Sequence, residues 1–430
     1  MKIVQITPGV GDLFYCENCV RDDALIHALT RMGHDVIVVP LYLPPGTEQP
    51  MGRRAAPLFF GGINTYLKEK SPFYRRLPAW LTRPLDSPAL LRAAARLAGM
   101  MEPEDLGETT LSMLHGEHGR QERELRRLAD WLNANERPDV VCLSNVLLAG
   151  LARRLRETLR APILCLLQDE DSFLDELPAS HRDRAWDVLR DRVADIAGFI
   201  AASRYFGGAM EKRLGLPFGS VHVVYPGIPA AGYSSAGAAP GVPTVGFLSR
   251  TCREKGLDTL VESFIAIRQG GRVPNVRLRI AGGHTPQDSA FIGEIRSRLV
   301  ATGALDATDW MPNLERAERQ RFLRSLSVLS VPARRGEASG VYVMEALACG
   351  VPVVQPRLGV FPELIEATGG GLLYDPARPG DLTLALEQLL ANPGEARRMA
   401  ERGRAVVAAR FSAEHMAREF IRICEDVRRP

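Results

Sequence analysis

The chain has little of what would direct it to a membrane, to nucleic acid or to a disulfide-built fold. Its 430 residues contain no apolar run of the ~18–20 residues that cross a bilayer. Met1-Lys2-Ile3-Val4-Gln5-Ile6 enters directly into a strand pattern, without the charged, apolar and cleavage regions of a signal peptide. A net charge of +3 is too small for bulk nucleic-acid binding. Seven cysteines, an odd number in no repeating frame, argue against a disulfide scaffold and point to reduced thiols. The expectation is a cytoplasmic protein that binds no nucleic acid. With 46% hydrophobic and 24% charged residues the chain reads as ordered and globular, and its length exceeds one ordinary core.

What is present is alternation. Lys2–Ile6, Ala24–Met32 and Asp35–Pro40 read strand, helix, strand, with Gly33 where a helix-terminating glycine belongs. Apolar strands recur at Asp139–Leu143, Ile163–Leu167, Gly198–Ala202 and Val221–Val224. The second half adds Thr244–Leu248, Val276–Ala281, Thr308–Met311, Val328–Val331, Val351–Gln355 and Gly371–Tyr374. Strands alternating with helices imply parallel sheets with crossovers, hence two doubly wound α/β domains. The expected division is a first domain over 1–225, a linker over 226–243 rich in proline and small residues, and a second domain over 244–412. A last helix over 413–430 follows. Residues 46–135 break the alternation and read as an insertion.

The densest chemistry lies in Gly336-Glu337-Ala338-Ser339-Gly340-Val341-Tyr342-Val343-Met344-Glu345. Pro332 and Gly336 put Glu337 on a loop, and the apolar spacing from Gly340 onward predicts a helix. The segment therefore offers an acid, free N–H groups at a helix start, and a second acid two turns in. Helix N-termini favour phosphate, and carboxylates accept from sugar or ribose hydroxyls. Taken alone, acids in the first turns of a helix also complement its dipole. Upstream, Arg250 and Lys255 follow the strand Thr244–Leu248 at its carboxyl end, where open sheets bind ligands and where Arg and Lys can hold a diphosphate.

Arg250…Lys255-Gly256, Glu337-x7-Glu345-Ala-Leu-Ala-Cys-Gly-Val-Pro-Val-Val, Gly359…Glu363 and Gly369-Gly370-Gly371 occur in one order. That order resembles the retaining glycosyltransferases of family 4, over roughly residues 244–411. The resemblance implies the GT-B fold, two Rossmann-like domains facing across a cleft. It implies transfer of a sugar from a UDP-, GDP- or ADP-sugar to a hydroxyl of a glycan, glycolipid or small molecule, with no cofactor and no metal. Arg250 and Lys255 would bind the diphosphate, Glu337 the donor sugar, Glu345 the ribose, and Ser339, Gly340 and Val341 the phosphate. Met311 and Asn313 would face the nucleobase. Ser339 departs from the family, which often carries an aromatic there. A sugar phosphorylase, a nucleotide-sugar epimerase or a non-catalytic sensor would use the same architecture.

The first half matches more loosely. Gly9 and Gly11 follow the first strand, where glycine lets backbone approach a phosphate or sugar. A dinucleotide fingerprint is disfavoured, because Phe14 stands at its third glycine and no acid ends the second strand. Gln168 stands where many relatives carry a histidine beside the donor sugar. Asp169-Glu170-Asp171 is read as a solvated helix start rather than a metal-binding pair. Cys16-Glu17-Asn18-Cys19 is read as a structural or acceptor-loop element without metal, with a metal site and a disulfide as alternatives, since no second Cys-x-x-Cys exists.

Lys68, Lys70, Arg75, Arg76 and Arg83 interleave with Tyr66, Phe73, Tyr74 and Trp80. This 66–83 stretch is read as the charged face of a folded excursion. The alternative is peripheral contact with the inner face of a membrane or with an anionic acceptor. The segment 59–66 loosely resembles glucan synthases of the same fold, which implies an α-glucan acceptor, with glycolipid or exopolysaccharide assembly as the alternatives.

Overall fold

The computed structural model describes residues 1–8, 15–42, 59–60, 103–229, 233, 240–311 and 313–429. Gly9, Gly11, the 66–83 stretch, most of the 46–135 insertion and residues 230–232 and 234–239 of the 226–243 linker lie outside the described residues. The chain divides into two compact units: Met1–Gly11, Leu25–Tyr225 and Ala417–Pro430 form the first, and Asp12–Ala24 with Pro226–Met416 the second.

In the first unit six parallel strands run β1 (Lys2–Thr7), β2 (Asp35–Pro40), β3 (Val140–Leu143), β4 (Ile163–Leu167), β5 (Gly198–Ala201) and β6 (His222–Val223). Their order in the sheet is β2-β1-β3-β4-β5-β6. β3 and β4 are buried along their whole length, as expected of strands covered by helices on both faces. Helix α1 (Glu17–Arg31) lies between β1 and β2 in the chain; its residues from Leu25 onward belong to this unit and its start, through Ala24, to the second. The chain's last residues belong to this unit too, where Arg428 donates to Asp139 Oδ1 at 2.7 Å.

The second unit repeats the design with strands β7 (Thr244–Leu248), β8 (Arg277–Ala281), β9 (Thr308–Trp310), β10 (Val328–Leu329), β11 (Val353–Pro356) and β12 (Gly371–Tyr374). They are ordered β12-β11-β10-β7-β8-β9, all parallel. The sheet is held in register by pairs such as Val328↔Val245 and Leu278↔Val245. Phe247 of β7 and Phe264 of helix α2 (Leu257–Gly270) are fully buried. Each such side chain contributes about 1.5–3 kcal/mol relative to exposure. Among the described residues no helix is long and apolar enough to cross a membrane.

Candidate functional site

Strand order reverses beside β7: the chain goes from β7 to β8 and β9 on one side, then returns to place β10 on the other. A crevice therefore opens between the loops that leave the carboxyl ends of β7 and β10. The first loop carries Lys255 and the second Glu337, and the lysine Nζ donates to Glu337 Oε1 at 2.7 Å. Glu337 is 5% exposed, and its Oε2 is buried without a hydrogen bond.

Local backbone geometry fixes both partners. Gly256, next to Lys255, caps α2 in the left-handed region. Glu337 is pinned by Gly359: the Val360 N–H donates to the Glu337 carbonyl at 3.0 Å, and a Cβ on Gly359 would lie 2.4 Å from the Glu337 nitrogen. Gly359 also has φ 58°, so both space and conformation call for glycine. Gly340 (φ 60°) turns the chain into helix α3 (Val341–Ala348), whose first N–H groups have no partner within the helix.

Glu345, in α3, has no exposed surface. Its Oε2 accepts from Tyr15 Oη at 2.7 Å, and its Oε1 from Tyr233 Oη at 2.5 Å and Arg319 Nε at 2.9 Å. Burial first, then the charge of Glu345, raises the Tyr15 phenol well above its ordinary pKa, so both tyrosines act here as donors. Arg250 sits in a fork with Asp288, Nε to Oδ2 and Nη2 to Oδ1 at 3.0 Å each. Thr285 and Asp288 close a capping box that holds this carboxylate in place.

The anion cradle at the start of α3 is filled by Glu17. Its Oε2 accepts from the Val341 N–H at 2.7 Å and from Ser339 Oγ at 3.0 Å, while Oε1 lies 3.8 Å from Lys255 Nζ. Burial first, then the nearby Glu337, pushes the Glu17 carboxyl up to about 8. Lys255, the Val341 N–H and Ser339 oppose that rise. Tyr15 is anchored beside it, its N–H donating to the Gly282 carbonyl at 2.8 Å.

The structure thus gathers Lys255, Glu337, Ser339, Gly340, Val341 and Glu345 in the second unit. Arg250 follows the same strand as Lys255 but is turned onto Asp288. Met311 extends the pairing of β9, its N–H donating to the Ile280 carbonyl at 2.8 Å, and Asn313 lies just beyond. Gln168 stands in the first unit, buried at the carboxyl end of β4. Its N–H donates to Glu170 Oε2 at 2.6 Å, and the other oxygen of Glu170 takes the Val146 N–H at 2.9 Å.

Two readings are corrected. The acids 169–171 do open a helix, Glu170–Glu176, but Glu170 is 4% exposed and tethers the loops after β3 and β4 rather than facing solvent. Cys16 and Cys19 form a disulfide, one of the two alternatives to the metal-free structural or acceptor-loop reading. Cys16 directly precedes α1 and Cys19 lies in its first turn, which sets their Cα atoms 5.3 Å apart, within the reach of a bridge. The other five cysteines are free and buried, so the expectation of reduced thiols holds for those five alone.

Sequence reasoning missed Tyr15, Glu17, Tyr233, Arg319 and Asp288. The capping-box spacing Thr285-x-x-Asp288 and a single tyrosine within a linker of small residues were legible signals for two of them.

Comparison with known proteins agrees with this architecture. The model for glycosyl transferases group 1 matches residues 235–406, and that for a glycosyl transferase 4-like domain matches residues 23–227. A D-inositol 3-phosphate glycosyltransferase of Jonesia denitrificans is 27% identical over 222 residues, 48% of this chain and 52% of the relative. A GDP-mannose-dependent alpha-(1-6)-phosphatidylinositol monomannoside mannosyltransferase of Mycolicibacterium smegmatis is 33% identical over 168 residues, 38% and 42% of the two chains. The chain spans about half the length of the curated relatives it matches. Among solved structures, sucrose-phosphate synthase from Thermosynechococcus elongatus superposes with TM-score 0.71 at 18% identity, covering 99% of this chain and 98% of the other. HepE of Anabaena in complex with UDP-glucose gives 0.67 at 15%, covering 99% and 100%. These likenesses show the GT-B fold, with its two Rossmann-like domains.

Proposed function

We propose that this chain, which belongs to the group 1 glycosyl transferases, moves a sugar from a nucleoside-diphosphate sugar to an acceptor hydroxyl with retention of configuration. The observation that carries the reading is the Lys255–Glu337 pair beside the start of α3, at the switch point of the second sheet. A cation, a helix N-terminus and a buried carboxylate oxygen without a partner suit a diphosphate joined to a polyhydroxylated ring.

In the proposed reaction the bond between the anomeric carbon and the diphosphate oxygen breaks, and its electron pair leaves with the diphosphate. The acceptor oxygen bonds to the anomeric carbon on the face the diphosphate leaves, and its proton passes to a departing phosphate oxygen. Lys255 and the Val341 N–H stabilise the charge that grows on the leaving group, and Arg250 joins them on release from Asp288. Glu337 orients the donor sugar by accepting from its hydroxyls. Lys255, Arg250 and the Val341 N–H can together offset the charge of a diphosphate once their present carboxylate partners give way, so we propose that transfer needs no divalent ion.

UDP-glucose in HepE and GDP-mannose in the mannosyltransferase named above support a nucleotide-sugar donor. The relatives named for inositol phosphate and for a phosphatidylinositol mannoside favour a polyol or lipid-linked glycan acceptor. The test is transfer from UDP-, GDP- and ADP-sugars to such acceptors in the presence of EDTA, with product configuration read by NMR. A product of the donor's anomeric configuration is expected. An inverted product, or transfer abolished by EDTA and restored by a divalent ion, overturns the mechanism.

A further inference from the structure

Segment 15–17 holds two seats that the proposed donor needs. Glu17 occupies the start of α3, taking the Val341 N–H and the Ser339 hydroxyl, the donors that would meet a phosphate. Tyr15 occupies Glu345 Oε2, the carboxylate that would meet a ribose hydroxyl. The Arg319 guanidinium lies 5.4 Å from the centre of the Tyr15 ring, so an aromatic face, a hydroxyl and a carboxyl follow one another through the site.

We propose that segment 15–17 is a built-in occupant of the donor site, with Glu17 standing in for a phosphate and Tyr15 for a ribose hydroxyl, so that the nucleotide sugar binds by displacing it. This rests on the donor-site reading given above.

The seat is built, and it is also strained. The Cys16–Cys19 disulfide closes a four-residue ring around Glu17, and the Cys19 N–H donates to Cys16 Sγ at 3.3 Å, which holds the carboxylate at the first turn of α1. Yet Glu17 and Glu337 share Lys255, at 3.8 and 2.7 Å. Two ionised carboxyls on one ammonium would repel each other, so burial and the charge of Glu337 make the seated Glu17 hold its proton. A diphosphate brings more charge to the same donors and releases Glu17 to water, which favours exchange.

A ligand that binds only the vacated site has its apparent dissociation constant raised by the reciprocal of the open fraction. Removing the occupant should therefore tighten binding, by about tenfold if the site is open one-tenth of the time. The experiment is calorimetric titration of UDP, GDP and ADP into the full chain and into Glu17→Ala and Tyr15→Phe. Melting temperatures check that each variant folds. Tyr15→Phe leaves the charge unchanged, so tightening in it cannot come from removing a negative group, and it decides the matter should Glu17→Ala fail to fold. Tighter binding of the same nucleotide in both variants is the expected result. Binding by the wild type that the variants leave unchanged or weaken overturns the occlusion and leaves the donor site standing. No binding by any of the three proteins overturns the donor-site reading and the occlusion with it.

Discussion

Glu17 and Val341 stand 324 positions apart in the chain, yet the Val341 N–H donates to the Glu17 carboxylate at 2.7 Å. A side chain from the start of α1 thereby caps α3, and it does so with a carboxyl pushed up to about 8.

That contact has a pH dependence with a definite sign. Below the ordinary carboxyl range Glu17 is protonated whether seated or free. Between that range and about 8 only the seated form keeps the proton, so the seat weakens as pH rises through this window, by at most tenfold per unit. Lys255, Glu337, Tyr15 and Tyr342 are the titratable groups that act on Glu17 there. The affinity advantage of Glu17→Ala over wild type for a nucleoside diphosphate should shrink from pH 6 to pH 8. Comparing the two proteins at each pH cancels the ionisation of the nucleotide, and a constant ratio would contradict the assignment.

Glu345 should be a keystone of the second unit's stability. Arg319, with 8% of its side chain exposed, shares Glu345 Oε1 with Tyr233, while Tyr15 holds the other oxygen. Glu345→Ala leaves the guanidinium buried without its counter-charge, at a cost of about 3–5 kcal/mol. Urea denaturation measures it, with Glu345→Gln expected to lose less. A loss below about 1 kcal/mol would mean that Arg319 relaxes into water.

Gly359→Ala should damage stability and activity together. Its Cβ would lie 2.4 Å from the Glu337 nitrogen and 2.8 Å from the Glu337 oxygen, and φ is 58°. Strain of about 1–3 kcal/mol is expected, and relieving it shifts Glu337. A variant with unchanged melting temperature and turnover would show that the loop of Glu337 is not held by this contact.

The disulfide makes a simple count. Alkylation of the denatured, unreduced chain should add five groups, and prior reduction should raise the count to seven. Seven without reduction would remove the bridge around Glu17.

Much of the architecture was legible because parallel strands buried on both faces leave unbroken apolar runs, as in Ile163–Leu167, and because glycines mark the turns between elements. Lys255 and Glu337 were readable as partners in one crevice, since both follow strands that a doubly wound sheet sets side by side. The partners of Arg250 and Glu345 were not readable in the same way. Arg250 looks like a free phosphate ligand until folding brings Asp288 beneath it from 38 residues downstream. Tyr15 reaches Glu345 across 330 residues, and no local spacing records a contact made only in the folded state. Glu17 was visible between its cysteines, but its seat belongs to a helix in the other half of the chain.

The most direct test of the account is release of nucleoside diphosphate from UDP-, GDP- and ADP-sugars, measured with and without a polyol or lipid-linked glycan acceptor. The account predicts acceptor-dependent release from donors of one base by the wild type. It also predicts a fall of about 10²–10³-fold in kcat for Lys255→Ala, the loss expected when one preorganised group at the leaving diphosphate is removed. No acceptor-dependent release from any donor, or equal release by Lys255→Ala, would contradict it.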